Sequence, residues 1–180
     1  MSIGQALKEG LHYQKMKQQE LAKATHYSVK SVSAWTNESR PIPEDMRSVV
    51  SQIVDYPDLY LEQWLEATGG VGLPVLDGDF VDRHPAAMKE LVTRETQMAL
   101  DRLGQASFTK PIHIQTKEER EEMKTVIKQL LDAACTIINL ISILCREYRF
   151  SFREICQSWC VSLVARRMIK KRKGWTSYGN

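Results

Sequence analysis

Apolar residues recur at three- and four-residue spacing along nearly the whole chain, and that period constrains the fold more than any other feature. Val126, Leu130, Ile137, Ile141 and Leu144 make the longest such stripe. Shorter ones are Ile3, Leu7 and Leu11, and Met46, Val49, Val50 and Ile53. Runs that alternate apolar and polar residues, as strands do, are scarce. The 9 glycines and 6 prolines among 180 residues leave little room for long loops. The chain therefore reads as all-α, with length enough for one medium domain or a small domain plus an appendage.

Local signals place the helices. A first helix is expected over residues 2–13, a second over 18–25 and a third over about 28–37. Ser28 is a suitable N-cap for the third, because its hydroxyl can accept a free backbone N–H. Arg40-Pro41-Ile42-Pro43 is a stiff connector. Pro43 then opens a fourth helix, with Glu44 and Asp45 at the positive end of its dipole. A fifth helix over residues 57–67 carries Leu59, Leu61, Trp64 and Leu65 and stops at Gly69-Gly70. Residues 71–84 read as a linker. A helix over 85–103 ends at Gly104, and 105–115 form a connector. Thr116 with Glu119, and Ser151 with Glu154, are capping boxes for two more helices, over 116–146 and 151–168. This divides the chain into a leading domain (1–68), a linker (69–84), a helical region (85–168) and a flexible basic tail (169–180).

Net charge is +3, too small to identify a partner by itself. Its distribution says more: residues 116–180 hold 13 basic and 7 acidic side chains, peaking at Arg166, Arg167 and Lys170 to Lys173. Residues 1–68 hold 7 basic and 9 acidic ones, the acidic surplus lying in 55–68. The first ten residues lack an apolar run, so no export leader is expected. The apolar stretch 133–145 is shorter than the roughly 20 residues a bilayer demands, so no membrane is expected either. Cys135, Cys145, Cys156 and Cys160 fall in helices among apolar neighbours and read as reduced thiols of a cytoplasmic protein. Cys156 and Cys160 could supply half of a metal site, but no histidine pair lies near them in sequence; neither metal nor cofactor is expected. No phosphate loop, HExxH or nucleophile elbow is present, and His12, His26, His84 and His113 are dispersed, so no enzyme is expected.

The segment Gln18–Glu20–Leu21–Ala22, followed by Ser28–Val29–Lys30–Ser31–Val32–Ser33–Ala34–Trp35, resembles the Cro/lambda-repressor (XRE) helix-turn-helix family over residues 3 to about 54. Leu21, Val32 and Trp35 stand where apolar side chains fix the crossing of two helices, and Ala22 where the helices approach closely. Where the family has glycine in the turn, at φ > 0, this chain has His26. Thr36, Asn37 and Glu38 also replace the residues usual after the tryptophan-like position.

The resemblance implies a five-helix domain that binds double-stranded DNA. It implies that Gln18 bonds a phosphate and braces a base-reading side chain. Ser28 opens the recognition helix. Val29 and Lys30 stand at its start, matched to a thymine methyl and to guanine O6/N7. Ser33 and Ala34 face the groove one turn on, and Asn37, Ser39 and Arg40 touch phosphate. The alternative is a helical module that binds only protein, such as an antitoxin or antirepressor, or a replication or packaging factor that relies on its basic tail. Thr116 to Arg120 and the apolar run after them also resemble, loosely, phage CII-type regulators. A homo-oligomer through helices in 116–168 is expected, because the stretch 137–144 is apolar on more than one side.

Overall fold

A computed structural model of the protein describes residues 1–171, and at Ile112 the backbone alone. The basic run is thus described only as far as Lys171; Arg172, Lys173, Trp175 and Tyr178 lie outside the described residues. Among the described residues every regular element is helical. In chain order these are α1 (Ile3–Tyr13), α2 (Gln18–Thr25), α3 (Val29–Thr36), α4 (Glu44–Val54), α5 (Pro57–Ala67), α6 (Pro85–Gln105), α7 (Lys117–Glu147) and α8 (Phe152–Ala165). A short 3-10 turn, Ile112–Ile114, lies between α6 and α7.

The capping chemistry follows the sequence closely. The backbone N–H groups of Ser31, Glu119 and Glu154 donate to the hydroxyls of Ser28, Thr116 and Ser151 at 3.1, 3.2 and 3.1 Å. Glu119 completes its box by accepting the Thr116 N–H at 2.7 Å. Gly69 and Gly70 take φ of 64° and 90°, and the Gly70 N–H returns to the Leu65 carbonyl at 2.8 Å, which closes α5. Two ends differ from expectation. α6 runs through Gly104 to Gln105, and α8 stops at Ala165, three residues short of Met168.

The chain forms two compact units. One joins Ser2–Gln63 to the chain from Cys145 onward. Here α3 packs on α1 and α2, and α4 on α2 and α1. Leu7, Leu21, Val32, Trp35, Val50, Val54 and Leu59 are buried. Gly4 and Gly10 let α1 come close to its neighbours: a Cβ on Gly4 would stand 2.7 Å from the Trp35 carbonyl oxygen, and one on Gly10 2.6 Å from Val54. Residues distant in sequence complete this unit. The Arg153 N–H donates to Asp55 at 3.2 Å, and the Tyr60 and Phe152 rings lie 5.7 Å apart. Arg146 bonds the Tyr56 hydroxyl at 2.8 Å and the fully buried Asp58 carboxylate at 3.3 Å. The Arg149 guanidinium sits 4.2 Å from the centre of the Tyr13 ring.

The other unit consists of Met1 with Trp64–Leu144. Asn139, fully buried, pins residues 74–76 to α7. Its amide N–H donates to the carbonyls of Pro74 and Cys135, each at 2.9 Å, and its oxygen accepts the Leu76 N–H at 2.9 Å. Val75 is buried beside them. Those bonds decide which side of α7 turns inward. Val126, Ala133, Thr136, Asn139 and Ile143 are buried, whereas Leu130, Ile137 and Ile141 of the sequence stripe are exposed. By length and composition α7 is long and apolar enough to cross a membrane. All four cysteines are free.

Candidate nucleic-acid interface

α2 and α3 are joined by a tight turn whose geometry depends on His26. That residue closes α2 in the left-handed conformation, φ 58° and ψ 26°, and its N–H and that of Tyr27 return to carbonyls of α2. A histidine therefore occupies the φ > 0 position that glycine fills most readily. Ser28 follows in extended backbone and caps α3, its hydroxyl also 2.9 Å from that of Ser31.

α3 has two distinct sides. Val32 and Trp35 are buried, with Tyr27 against Trp35 at a ring separation of 5.0 Å. Ser28, Val29, Lys30 and Asn37 are exposed, and Ser33 and Ala34 are partly so. Spaced at 29, 30, 33, 34 and 37, these side chains share the outward side of the helix. Ser39 and Arg40, just beyond it, are exposed as well. The Arg40 N–H and the Ser39 hydroxyl return to the Ala34 carbonyl, at 3.3 and 3.4 Å, and the Asn37 amide reaches the Ser33 hydroxyl at 3.4 Å.

Gln18 is half-buried at the start of α2, and its side-chain N–H donates to the Thr36 hydroxyl at 3.1 Å. That hydroxyl in turn donates to the Ser33 carbonyl at 3.0 Å. Gln18 is thus tied to the end of α3, and through Thr36 to the backbone of Ser33. Thr36 had no place among the residues singled out from sequence. Its signal was its own departure from the family's pattern after Trp35, and only the fold shows that its hydroxyl meets Gln18.

Comparisons with protein-family models, curated proteins and solved structures found no match to this chain. Function therefore rests on this geometry.

The basic side chains near the start of α2 are Lys15 and Lys17, both exposed. Lys15 also lines an open hollow of about 1010 Å³ together with Lys8, His12, Tyr56, Arg146 and Arg149. Burial pushes the Tyr56 hydroxyl there up to about 12; Asp58 adds to the rise and Arg146 opposes it. Among the described residues no cluster of histidine, cysteine and carboxylate side chains is arranged to hold a metal ion. Burial pushes the Cys156 thiol up to about 11, the reverse of what a metal-binding thiolate requires.

Proposed function

We propose that this chain is a sequence-specific DNA-binding transcriptional regulator of phage or mobile-element origin. In this proposal α1–α5 are a lambda-repressor-like helix-turn-helix domain, and α3 enters the major groove. The protein works in the bacterial cytoplasm or nucleoid, as an oligomer on repeated operator half-sites. One observation carries the proposal. α3 presents Val29, Lys30, Ser33, Ala34 and Asn37 outward, while Val32, Trp35 and the Gln18–Thr36 bond hold its other side. A rigidly held helix with a short, mixed polar and apolar outer side suits base-edge readout, with Lys30 for guanine and Val29 for a thymine methyl. Gln18, Ser39 and Arg40 stand where phosphate contacts set register.

Selection from a random duplex library by gel shift at physiological salt should enrich one motif. Lys30→Ala should weaken binding to that motif by about 1–3 kcal/mol. No enrichment, or full affinity in Lys30→Ala, refutes the assignment. A second function, gripping another protein as an antitoxin or antirepressor does, is favoured by one observation: Ile155, Trp159 and Val161 of α8 are exposed. It predicts a stoichiometric partner on purification, and DNA affinity indifferent to changes at residues 29, 30 and 33.

A further inference from the structure

We infer that the outward side of α7 is the surface on which a second copy of this chain packs, antiparallel, crossing at Ala134. This names the surface of the oligomer proposed above. It is tested without DNA, so its failure and that of DNA reading are separable.

Ile127, Leu130, Leu131, Ile137 and Ile141 are 52, 40, 53, 39 and 36% exposed, and Ala134 and Ile138 are half-buried. At 100° per residue these seven side chains fall within one continuous stripe, and Lys128 and Asp132 lie outside it. The stripe lies opposite the side on which Thr136, Asn139 and Ile143 are buried. Residues 127, 130, 134, 137 and 141 follow the three-four spacing of a helix–helix seam.

The stripe is also a palindrome. Counting outward from Ala134, Leu131 mirrors Ile137, Leu130 mirrors Ile138, and Ile127 mirrors Ile141. A two-fold contact requires that if one residue touches a second, the second touches the first in return. Two antiparallel copies of this stripe satisfy that at every position, with a bulky aliphatic residue meeting another throughout. The smallest residue, Ala134, sits where the two backbones come closest.

The area fits a dimer. Met123, half-buried, prolongs the stripe to 19 residues, 123–141. That is roughly 29 Å of helix, and at a width of 10–12 Å it offers roughly 290–350 Å² per copy. A specific interface at the small end of the range buries about 600 Å² per copy. About 60% of it is apolar, or roughly 360 Å². A bilayer fits less well, because a span must be apolar around the helix, whereas Lys128 and Asp132 are exposed and Asn139 is bonded within the protein.

The test is sedimentation equilibrium on the full chain between 1 and 100 µM. The expected result is a mass approaching twice 20.7 kDa at the upper end, falling on dilution. Leu130→Lys and Ile137→Lys should each weaken association at least tenfold with the helical circular dichroism unchanged. Leu100→Lys, at an exposed apolar position of α6, should leave association intact. Under mild oxidation, Ile127→Cys mixed with Ile141→Cys should give a 127–141 disulfide by peptide mapping, and Ile127→Cys alone no 127–127 disulfide. A monomer at 100 µM, association indifferent to both lysine variants, or a 127–127 disulfide would overturn the proposal. So would a monomer that sediments with phosphatidylcholine–phosphatidylglycerol vesicles, since the stripe would then be a lipid surface.

Discussion

Replacing Arg146 with alanine should loosen the unit that holds α1–α4, although Arg146 lies 88 residues from its main partner in sequence. Asp58 is fully buried, and the Arg146 guanidinium stands 3.3 Å from its carboxylate. At that distance two unit charges attract by about 5 kcal/mol at an effective dielectric near 20. Arg146 is 19% exposed, so water screens part of this. Breaking a buried pair from one side costs about 3–5 kcal/mol, because the remaining charge stays buried. We take about 3 kcal/mol, the low end, for Arg146→Ala. The assay is hydrogen exchange at peptide resolution, which follows each unit separately. Since 1.4 kcal/mol is a factor of ten, amides of α1, α4 and α8 should exchange about 100-fold faster. Amides near Met88, in the other unit, should change much less. Adding Asp58→Asn to Arg146→Ala should cost less than the two single losses added together, because both variants remove the same interaction. A change below threefold in α1 and α4, or single losses that add fully in the double variant, refutes this account of the pair.

Three further outcomes follow from single side chains. Asn139→Ala strips three hydrogen bonds from a buried site and should cost about 2–4 kcal/mol. It should also speed proteolysis within residues 71–84; unchanged protease resistance there would contradict the pinning role. The fold holds Tyr56 at about 12 against 10.0 for the free group, so the native state keeps its proton more tightly than the unfolded chain. That stabilisation, about 2–3 kcal/mol, is whole below pH 10 and is lost as pH rises from 10 to 12. Urea midpoints should fall across that window and fall less in Tyr56→Phe, whereas a flat profile would count against the buried phenol. His26→Gly relieves a left-handed residue and should stabilise by about 0.5–1 kcal/mol, with His26→Val destabilising by at least as much. Equal thermal midpoints for all three residues would rule out strain at the turn.

The helices were legible in the sequence because their signals are local. Ser28, Thr116 and Ser151 cap, and Gly69-Gly70 terminates, through bonds spanning three to five residues. The turn at His26 was legible for the same reason. The inner side of α7 was not. The stripe through Leu130, Ile137 and Ile141 has the spacing of a buried face, yet the buried side runs through Asn139, which looks polar in sequence. What reverses the choice is the Pro74 carbonyl and the Leu76 N–H, more than 60 residues away, and no helical period records them. Gly4 and Gly10 were likewise silent, because close approach depends on atoms of residues distant in sequence, Trp35 and Glu38 at Gly4 and Val54 and Tyr56 at Gly10. At the outward side of α3, the pattern distinguished Val32 and Trp35 from Val29 and Lys30. It did not reveal Thr36, whose role depends on a bond between helices.

The return of residues 145–165 to the leading unit also alters the electrostatic argument for a nucleic-acid partner. Ser2–Gln63 alone hold 7 basic and 8 acidic side chains, the wrong sign for attracting phosphate. The described residues from Cys145 to Lys171 add 7 basic and only 2 acidic ones to the same unit. They carry that unit from a net charge of −1 to +4. Part of this goes to the acidic run at 55–62, where Arg146 pairs with Asp58; Asp55 is held by the uncharged backbone N–H of Arg153. Arg149 instead stacks on Tyr13, and with Lys8, His12 and Lys15 it lines the hollow along α1. A domain that binds duplex DNA must hold a positive field before any base is read, because counterion release supplies much of the affinity. If α3 reads DNA, the far end of the chain both neutralises the buried carboxylate that α5 brings and supplies the positive charge that the first 63 residues lack.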